Sequence, residues 1–320
     1  SHPGVFIQLR PLKWEYGHIE LRAAAAAGTY PDVAPIGADY DFIAKGYLEA
    51  IDEYFTPEEL EKYEPRAIEA VTYNERMYGF PWFITTYGLF INREIFEAKN
   101  AQVPENGEWT YDEFVSALQK VADQDRGNYG FNLFLSPGSF QVWGFLTMDG
   151  AEIFDKEGNF VLNSPEGVSA LTKLVDLATK YQVVPLEEFG NLEETRVWSD
   201  FCEKQKIAVY PAGPWAIKVL SDKNKSGEGF EFDIAHYPKG EGEGTPFALV
   251  SGYGIFKQED EKKKDLCAKF LKYITSEEEQ KELANYGVFP VYKKALEESI
   301  EEPLMKRIKE ILDTAQNQPK

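Results

Sequence analysis

Cysteine and histidine are scarce in this chain, with 2 Cys and 3 His among 320 residues. Two thiols cannot build a disulfide framework, and no Cys/His grouping stands at zinc-ligand spacing, so neither bridges nor a structural metal are expected to hold the fold. Cys202 and Cys267 each fall in a helix-like pattern among apolar neighbours, where an inert buried thiol is the ordinary outcome, and they leave the redox compartment open. No apolar run reaches the length that spans a bilayer, and nothing at the start reads as a signal segment. Positive charge is in deficit too, with 34 Lys and Arg against 54 Asp and Glu and a net charge of −20. Such a surface repels phosphate backbones, which argues against nucleic acid as a partner and suits a neutral ligand, although a solvated surface explains the charge as well. Also missing are a Gly-x-Ser-x-Gly elbow, a phosphate loop, a dinucleotide fingerprint and any His-based constellation, so no catalytic residues, cofactor or metal site are indicated.

What the chain does hold is apolar and aromatic material, 43% and 14% of its residues, enough for the core of one large or two ordinary domains. The stretch 77–96 organises the rest. Its runs 77–80 and 87–91 are rich in aromatic and β-branched residues and read as strands, with Pro81 and Gly88 as bends or edges. Between them stand Trp82, Thr85, Thr86 and Tyr87. A flat indole beside hydroxyls suits a sugar ring, whose C–H face stacks on aromatics while its hydroxyls take hydrogen bonds. A buried aromatic strand accounts for the same residues equally well.

Elsewhere, strands are expected at 5–9, 31–36, 129–134, 207–210, 232–235 and 247–256, alternating with helices, which makes the class α/β. Helix signals include the capping boxes at Thr56, Thr110 and Ser276, each with Glu three residues on, and the glycine stop at Gly28. Five alanines at 23–27 suggest a tight contact, and Val168, Leu171, Leu174, Val175 and Ala178 recur at helical spacing as a core face. Asp39 stands near a helix start, as a cap or as a ligand group. Gly252 and Gly254 interrupt the last long strand, permitting close approach of a ligand or a bend.

Several motifs, in order and at matching spacing, carry a resemblance that runs over nearly the whole chain. They are Ala27-Gly28-Thr29-Tyr30-Pro31-Asp32-Val33, then Tyr73-Asn74, Tyr78-Gly79, Pro81-Trp82, Leu89-Phe90 and Asn92-Arg93-Glu94-Ile95-Phe96, then Trp109-Thr110-Tyr111-Asp112-Glu113-Phe114 after Gly107, then Ala212-Gly213-Pro214-Trp215. The pattern resembles the extracellular solute-binding proteins of ABC sugar importers, family 1, maltose-binding-protein-like. The resemblance implies a two-lobed periplasmic-binding-protein fold of type II with a central ligand cleft and hinge crossings near 84–87, 245–250 and 286–290. Residues 1–84 with 248–287 would form the N-terminal lobe, lacking its first strand and helix. Residues 85–247 with 288–320 would form the C-terminal lobe, lacking its last helices.

Carried over position by position, the implied ligand contacts are Asp39, Tyr40, Trp82, Thr85, Thr86, Gly213 and above all Trp215, with Trp143 and Tyr253, and further Tyr286 and Phe289, as lesser candidates. The chain departs from the maltose-binding pattern at Ile36, at Tyr40 and at Thr85, each less polar or less charged than the family's residue, which points to a sugar other than maltose. The implied function is extracytoplasmic binding of a sugar or short oligosaccharide and its delivery to the membrane permease subunits of an ABC transporter, by hinge closure around a ligand stacked on aromatics. Location would be periplasmic or extracellular, with or without a lipid anchor. Two alternatives stay open: a glycoside-active enzyme with paired carboxylates in an aromatic acidic cleft, and a truncated sensor or interaction module that keeps the fold and binds nothing.

Overall fold

The computed structural model describes residues 3–12, 16–36, 40–135, 140–155, 159–186, 189, 193–300 and 302–317. Its strands in chain order are β1 (Val33–Pro35), β2 (Thr72–Tyr73), β3 (Arg76–Met77), β4 (Phe80–Thr85), β5 (Gly88–Asn92), β6 (Tyr129–Phe131), β7 (Ile207–Ala212), β8 (Phe232–Ala235), β9 (Phe247–Ile255), β10 (Phe289–Pro290) and β11 (Gln316–Asn317). Two sheets carry the architecture. The first has the order β1-β9-β4-β10, with β11 alongside β9, and the second has the order β6-β7-β5-β8. Every residue of β5 and β7 is buried, as suits interior strands with helices packed over both faces.

The chain passes from the first sheet to the second through a two-residue link and returns through the loop 236–246. Only Thr86 and Tyr87 separate β4 in the first sheet from β5 in the second. Thr86 is 0% exposed, and its hydroxyl donates to the carbonyl of Phe247 at 3.0 Å, at the residue where β9 carries the chain back. One buried hydrogen bond thus ties the outgoing link to the returning strand. A single apolar cluster lies under both sheets: Ile84, Ala248, Val250 and Phe289 come from the first, Phe90, Tyr210 and Ile234 from the second, and Met305, Ile308 and Ile311 from the helix Pro303–Thr314.

Local sequence signals explain many boundaries. The boxes at Thr56 and Thr110 form in full, with Glu59 and Glu113 reaching back to the capping amides, and they open the helices Pro57–Leu60 and Tyr111–Val121. Asn92 caps Arg93–Ala98 by accepting from the amide of Ile95. Ser276 caps Glu277–Lys281, after which the chain tightens into a 3₁₀ turn over Glu282–Tyr286 and leaves it at Gly287 with a φ of 75°.

Other expectations give way. No strand forms at 5–9, where Phe6 and Leu9 are 87% and 84% exposed. Of the alanine run only Ala25 is buried. On the helix Pro165–Thr179, Leu174 and Ala178 are buried as expected, but they share the buried row with Gly167, Ala170 and Leu177, whereas Val168, Leu171 and Val175 are exposed at 58%, 49% and 43%. Both rows share helical spacing, so periodicity alone cannot choose between them; the row with the small residues faces inward. The residues expected to link two strands at 82–85 belong to β4 itself, which runs on through Pro81 with an irregularity in the β4–β9 ladder between Pro81 and Phe83. Gly252 and Gly254 give close approach to the protein's own atoms, since a Cβ there would meet Phe80 O and Ile36 Cγ2 at 2.9 Å each.

Candidate functional site

Where β4 runs out of the first sheet, its half-exposed side chains meet the start of a helix from the second. Thr85, the last residue of β4, pairs with Leu249, and Phe83 pairs with Ser251. Phe83, Thr85, Ser251 and Tyr253 are partly exposed, and alternation along β9 places Leu249, Ser251 and Tyr253 on one face. Trp82 falls at the irregularity between Pro81 and Phe83, the kind of site that re-aims a side chain, and its ring lies 5.0 Å from that of Tyr253. Burial raises the Tyr253 phenol above its ordinary value, so it stays a neutral donor at physiological pH.

The facing residues come from the end of β7 and the helix Trp215–Ser226. Pro214 leads into that helix, and Trp215 is its first residue, half-buried. A Cβ on Gly213 would lie 2.9 Å from Cδ1 and Nε1 of the Trp215 indole and 3.4 Å from Thr85 Oγ1, so Gly213 is the floor on which Trp215 and Thr85 converge. The indole of Trp198, from the helix Glu194–Cys202, stands edge-on to Trp215 with centroids 4.8 Å apart. From behind, Gly287 presses on the same turn: its Cβ position would lie 2.6 Å from Trp215 Cα.

The residues picked from the sequence therefore divide. Thr85, Gly213 and Trp215 come together, and Trp82 and Tyr253 form a second aromatic pair on the first sheet. Trp143 opens the helix Trp143–Leu146 and packs edge-on against Phe247 at 5.4 Å, beside Tyr87; its indole Nε1 is buried and has no hydrogen-bond partner among the described residues. Thr86 offers no surface, being closed over Phe247. Tyr40 is turned into its own neighbourhood, donating to Ala70 O at 2.9 Å with its ring against Tyr73, and burial together with the Glu69 charge pushes its phenol up to about 12. Asp39 lies outside the described residues. Of the lesser candidates, Tyr286 is well exposed and Phe289 is wholly buried.

Trp198 was missed by sequence reasoning. Its signal was present, because Trp198 and Phe201 stand one helical turn apart and so share a face. Glu194, one turn earlier on that helix, lies near the buried hydroxyl of Tyr87, whose pKa rises first through burial and then through the Glu194 charge. Among the described residues no group of three or more His, Cys, Asp and Glu side chains could hold a metal ion. Both cysteines are free, and burial pushes the Cys202 thiol up to about 11. A separate concavity of about 810 Å³ lies on the outside of the first sheet's end, where Arg76–Asp52, Lys257–Glu49 and Lys264–Glu53 pair at 2.6, 3.0 and 2.7 Å. Its charges satisfy one another and it is nearly free of aromatics, so it lacks the features of a sugar platform.

Two sheets joined by a two-residue crossing and a loop crossing define a two-lobed fold of the maltose-binding-protein type. The chain belongs to the bacterial extracellular solute-binding protein family, whose model matches residues 1–307. It is similar to the maltotriose-binding protein of Pyrococcus abyssi, 27% identical over 288 residues, which are 86% of this chain and 58% of that protein. It is also similar to a probable ABC transporter-binding protein of Deinococcus radiodurans, 23% identical over 71% of this chain and 54% of that one. The chain thus spans little more than half the length of these relatives. Among solved structures, maltose-bound MalE3 of T. maritima is 25% identical with a TM-score of 0.79, covering 95% of this chain and 78% of that one. A maltose/maltodextrin-binding domain from Bdellovibrio bacteriovorus, bound to maltotriose, shares the fold at 19% identity and a TM-score of 0.81, covering 99% and 82%. Among the described residues, no helix is long and apolar enough to cross a membrane.

Proposed function

We propose that this protein binds a short gluco-oligosaccharide outside the cytoplasm and presents it to the permease of an ABC importer, without chemistry of its own. The observation that carries this reading is the convergence of Trp215, Gly213 and Thr85 at the seam between the sheets, an indole and a hydroxyl on a glycine floor. An indole stacks on the C–H face of a pyranose while hydroxyls and phenols fix its orientation. Trp82 with Tyr253 supplies a second platform across the seam. The printed ligands of relatives and neighbours, maltotriose and maltose, support the choice of sugar class.

The lobes in this reading are built on the two sheets, and the ligand closes them about the crossings. Residues 1–84 and 248–287 make the first lobe; 288–298 join it, because β10 pairs with β4, Glu64 N donates to Val291 O and Lys293 N donates to Lys62 O. In this reading the division after 287 is drawn instead beyond Glu298, a placement that these pairings support. Residues 85–247 with the helix Pro303–Thr314 make the second lobe. Asp39 and Tyr40 remain proposed contacts of a closed form, and Trp143 and Thr86 act through the crossings.

The test is calorimetric titration with maltose, maltotriose and monosaccharides, on the chain and on Trp215→Ala. Saturable binding of an oligosaccharide, lost in Trp215→Ala with the fold intact, is the expected result. No heat with any sugar, or equal binding by the variant, would remove the seam as the site.

A further inference from the structure

The Trp215 indole has fixed neighbours on three sides: Gly213 beneath its Cδ1–Nε1 edge, Gly287 against its Cα, and Trp198 against the ring with centroids 4.8 Å apart and planes at 64°. Trp198 is itself held. Its ring lies 5.8 Å from Phe201 and 5.7 Å from Tyr210, and the Tyr210 hydroxyl accepts from Gln141 Nε2 at 2.8 Å. Gln141 is held in turn, its Oε1 accepting from Phe134 N at 2.7 Å and its carbonyl from the Tyr237 hydroxyl at 2.9 Å. Trp198 therefore rests on a wall of buried, hydrogen-bonded aromatics. Both indoles are half-buried and packed on the cluster that underlies the two sheets. An edge-to-face pair leaves at least one face of Trp215 clear of Trp198.

We propose that Trp198 is a positioning residue for the ligand site, setting the plane of the Trp215 indole so that its clear face is presented to a sugar ring. The inference rests on the sugar-binding reading above. The χ2 torsion of a tryptophan is broad and set by its neighbours, and stacking requires the sugar and ring planes to be parallel. Gly213 and Gly287 bound the indole at its edge and root, and Trp198 is the aromatic ring set against its plane. Without that contact, part of the binding free energy goes to ordering the indole, and affinity falls.

The test pairs maltotriose titration with far-UV circular dichroism, in which two indoles this close give an exciton couplet. Loss of one edge-to-face contact corresponds to about threefold to tenfold weaker binding, expected for Trp198→Ala together with loss of the couplet and unchanged helix content. Trp198→Phe keeps a ring edge in place and restores affinity to within about twofold, while the couplet stays absent. If Trp198→Ala does not fold, Trp198→Leu, apolar and ringless, carries the same expectation. Wild-type affinity in the ringless variants, or a couplet that survives in them, overturns the positioning role alone. A wild-type chain that shows the couplet and binds no sugar overturns the sugar reading and this role with it.

Discussion

Gly287 offers the sharpest test of how the seam is built. It follows the 3₁₀ turn with φ at 75°, and a Cβ there would lie 2.6 Å from Trp215 Cα and 2.7 Å from Pro214 O. Both obstacles are backbone, so neither can swing aside. In Gly287→Ala the left-handed conformation costs about 1 kcal/mol, and the forced backbone shift a further ~1–3 kcal/mol. Gly227→Ala is the control: it closes the other end of the same helix with φ at 79° and meets nothing within 4 Å, so only the conformational term applies. Unfolding all 320 residues as one unit carries about 0.7 kcal/mol/K of entropy, at about 2.1 cal/mol/K per residue, so each kcal/mol lowers Tm by about 1.5 °C. Gly287→Ala is then expected to melt about 3–6 °C below the parent chain and Gly227→Ala about 1.5 °C below it, read by calorimetry at matched scan rate. Because the clash falls on the first turn of the Trp215 helix, maltotriose binding weakens in the former and not in the latter. Equal melting of the two variants would refute the packing argument.

Three further outcomes follow from the same geometry. Thr86→Val keeps the shape of the crossing but removes the hydroxyl on Phe247 O, and denaturant titration is expected to show a loss of about 1–3 kcal/mol; an unchanged midpoint would mean the hydrogen bond does not tie the links. On the helix Pro165–Thr179, exposed Leu171→Ser is expected to stay within about 0.5 kcal/mol while buried Leu174→Ala loses about 2–5 kcal/mol, and a comparable loss in both variants would restore the face expected from periodicity. Burial pushes the Asp149 carboxyl up, but hydrogen bonds from Lys173 at 2.5 Å, Ser169 at 2.5 Å and the Glu241 amide outweigh it and hold the group below its ordinary value. A depressed folded-state pKa makes this contribution whole above the unfolded value of about 3.9 and drains it as pH falls through the folded one, so Asp149→Asn should flatten the acid limb of the stability profile.

The sequence carried most of the element list, because caps and breakers act within a few residues. Thr56 with Glu59 and Thr110 with Glu113 close their boxes as their spacing demands. Choices that depend on distant partners were not legible. Val168 and Leu174 are equivalent to a helical-period count, and only the neighbours of the folded chain separate them. Strand pairing likewise decided Trp82, since the irregularity in register opposite Gly252 and Ser251 appears only when β9 is in place. At the seam, Trp215 and Gly213 were readable through a local motif. For Trp198 the spacing to Phe201 gave only a helix face, because its role lies in a contact with Trp215, 17 positions away in the chain. Tyr40 shows what a motif leaves out, since its hydroxyl donates to Ala70 O, a partner 30 positions away that the sequence does not name.

The apolar cluster beneath both sheets bears on how this molecule can be taken apart. Ile84 and Phe90 flank the shortest crossing, and both belong to that one cluster, as does the helix Pro303–Thr314 near the far end of the chain. A cut at the crossing would therefore divide a core instead of separating two modules, leaving each half with a raw apolar face. For anyone building a sensor from this scaffold, a reporter belongs in the polar turn after Ser226, where Gly227 has open space around it, and the waist should be left whole.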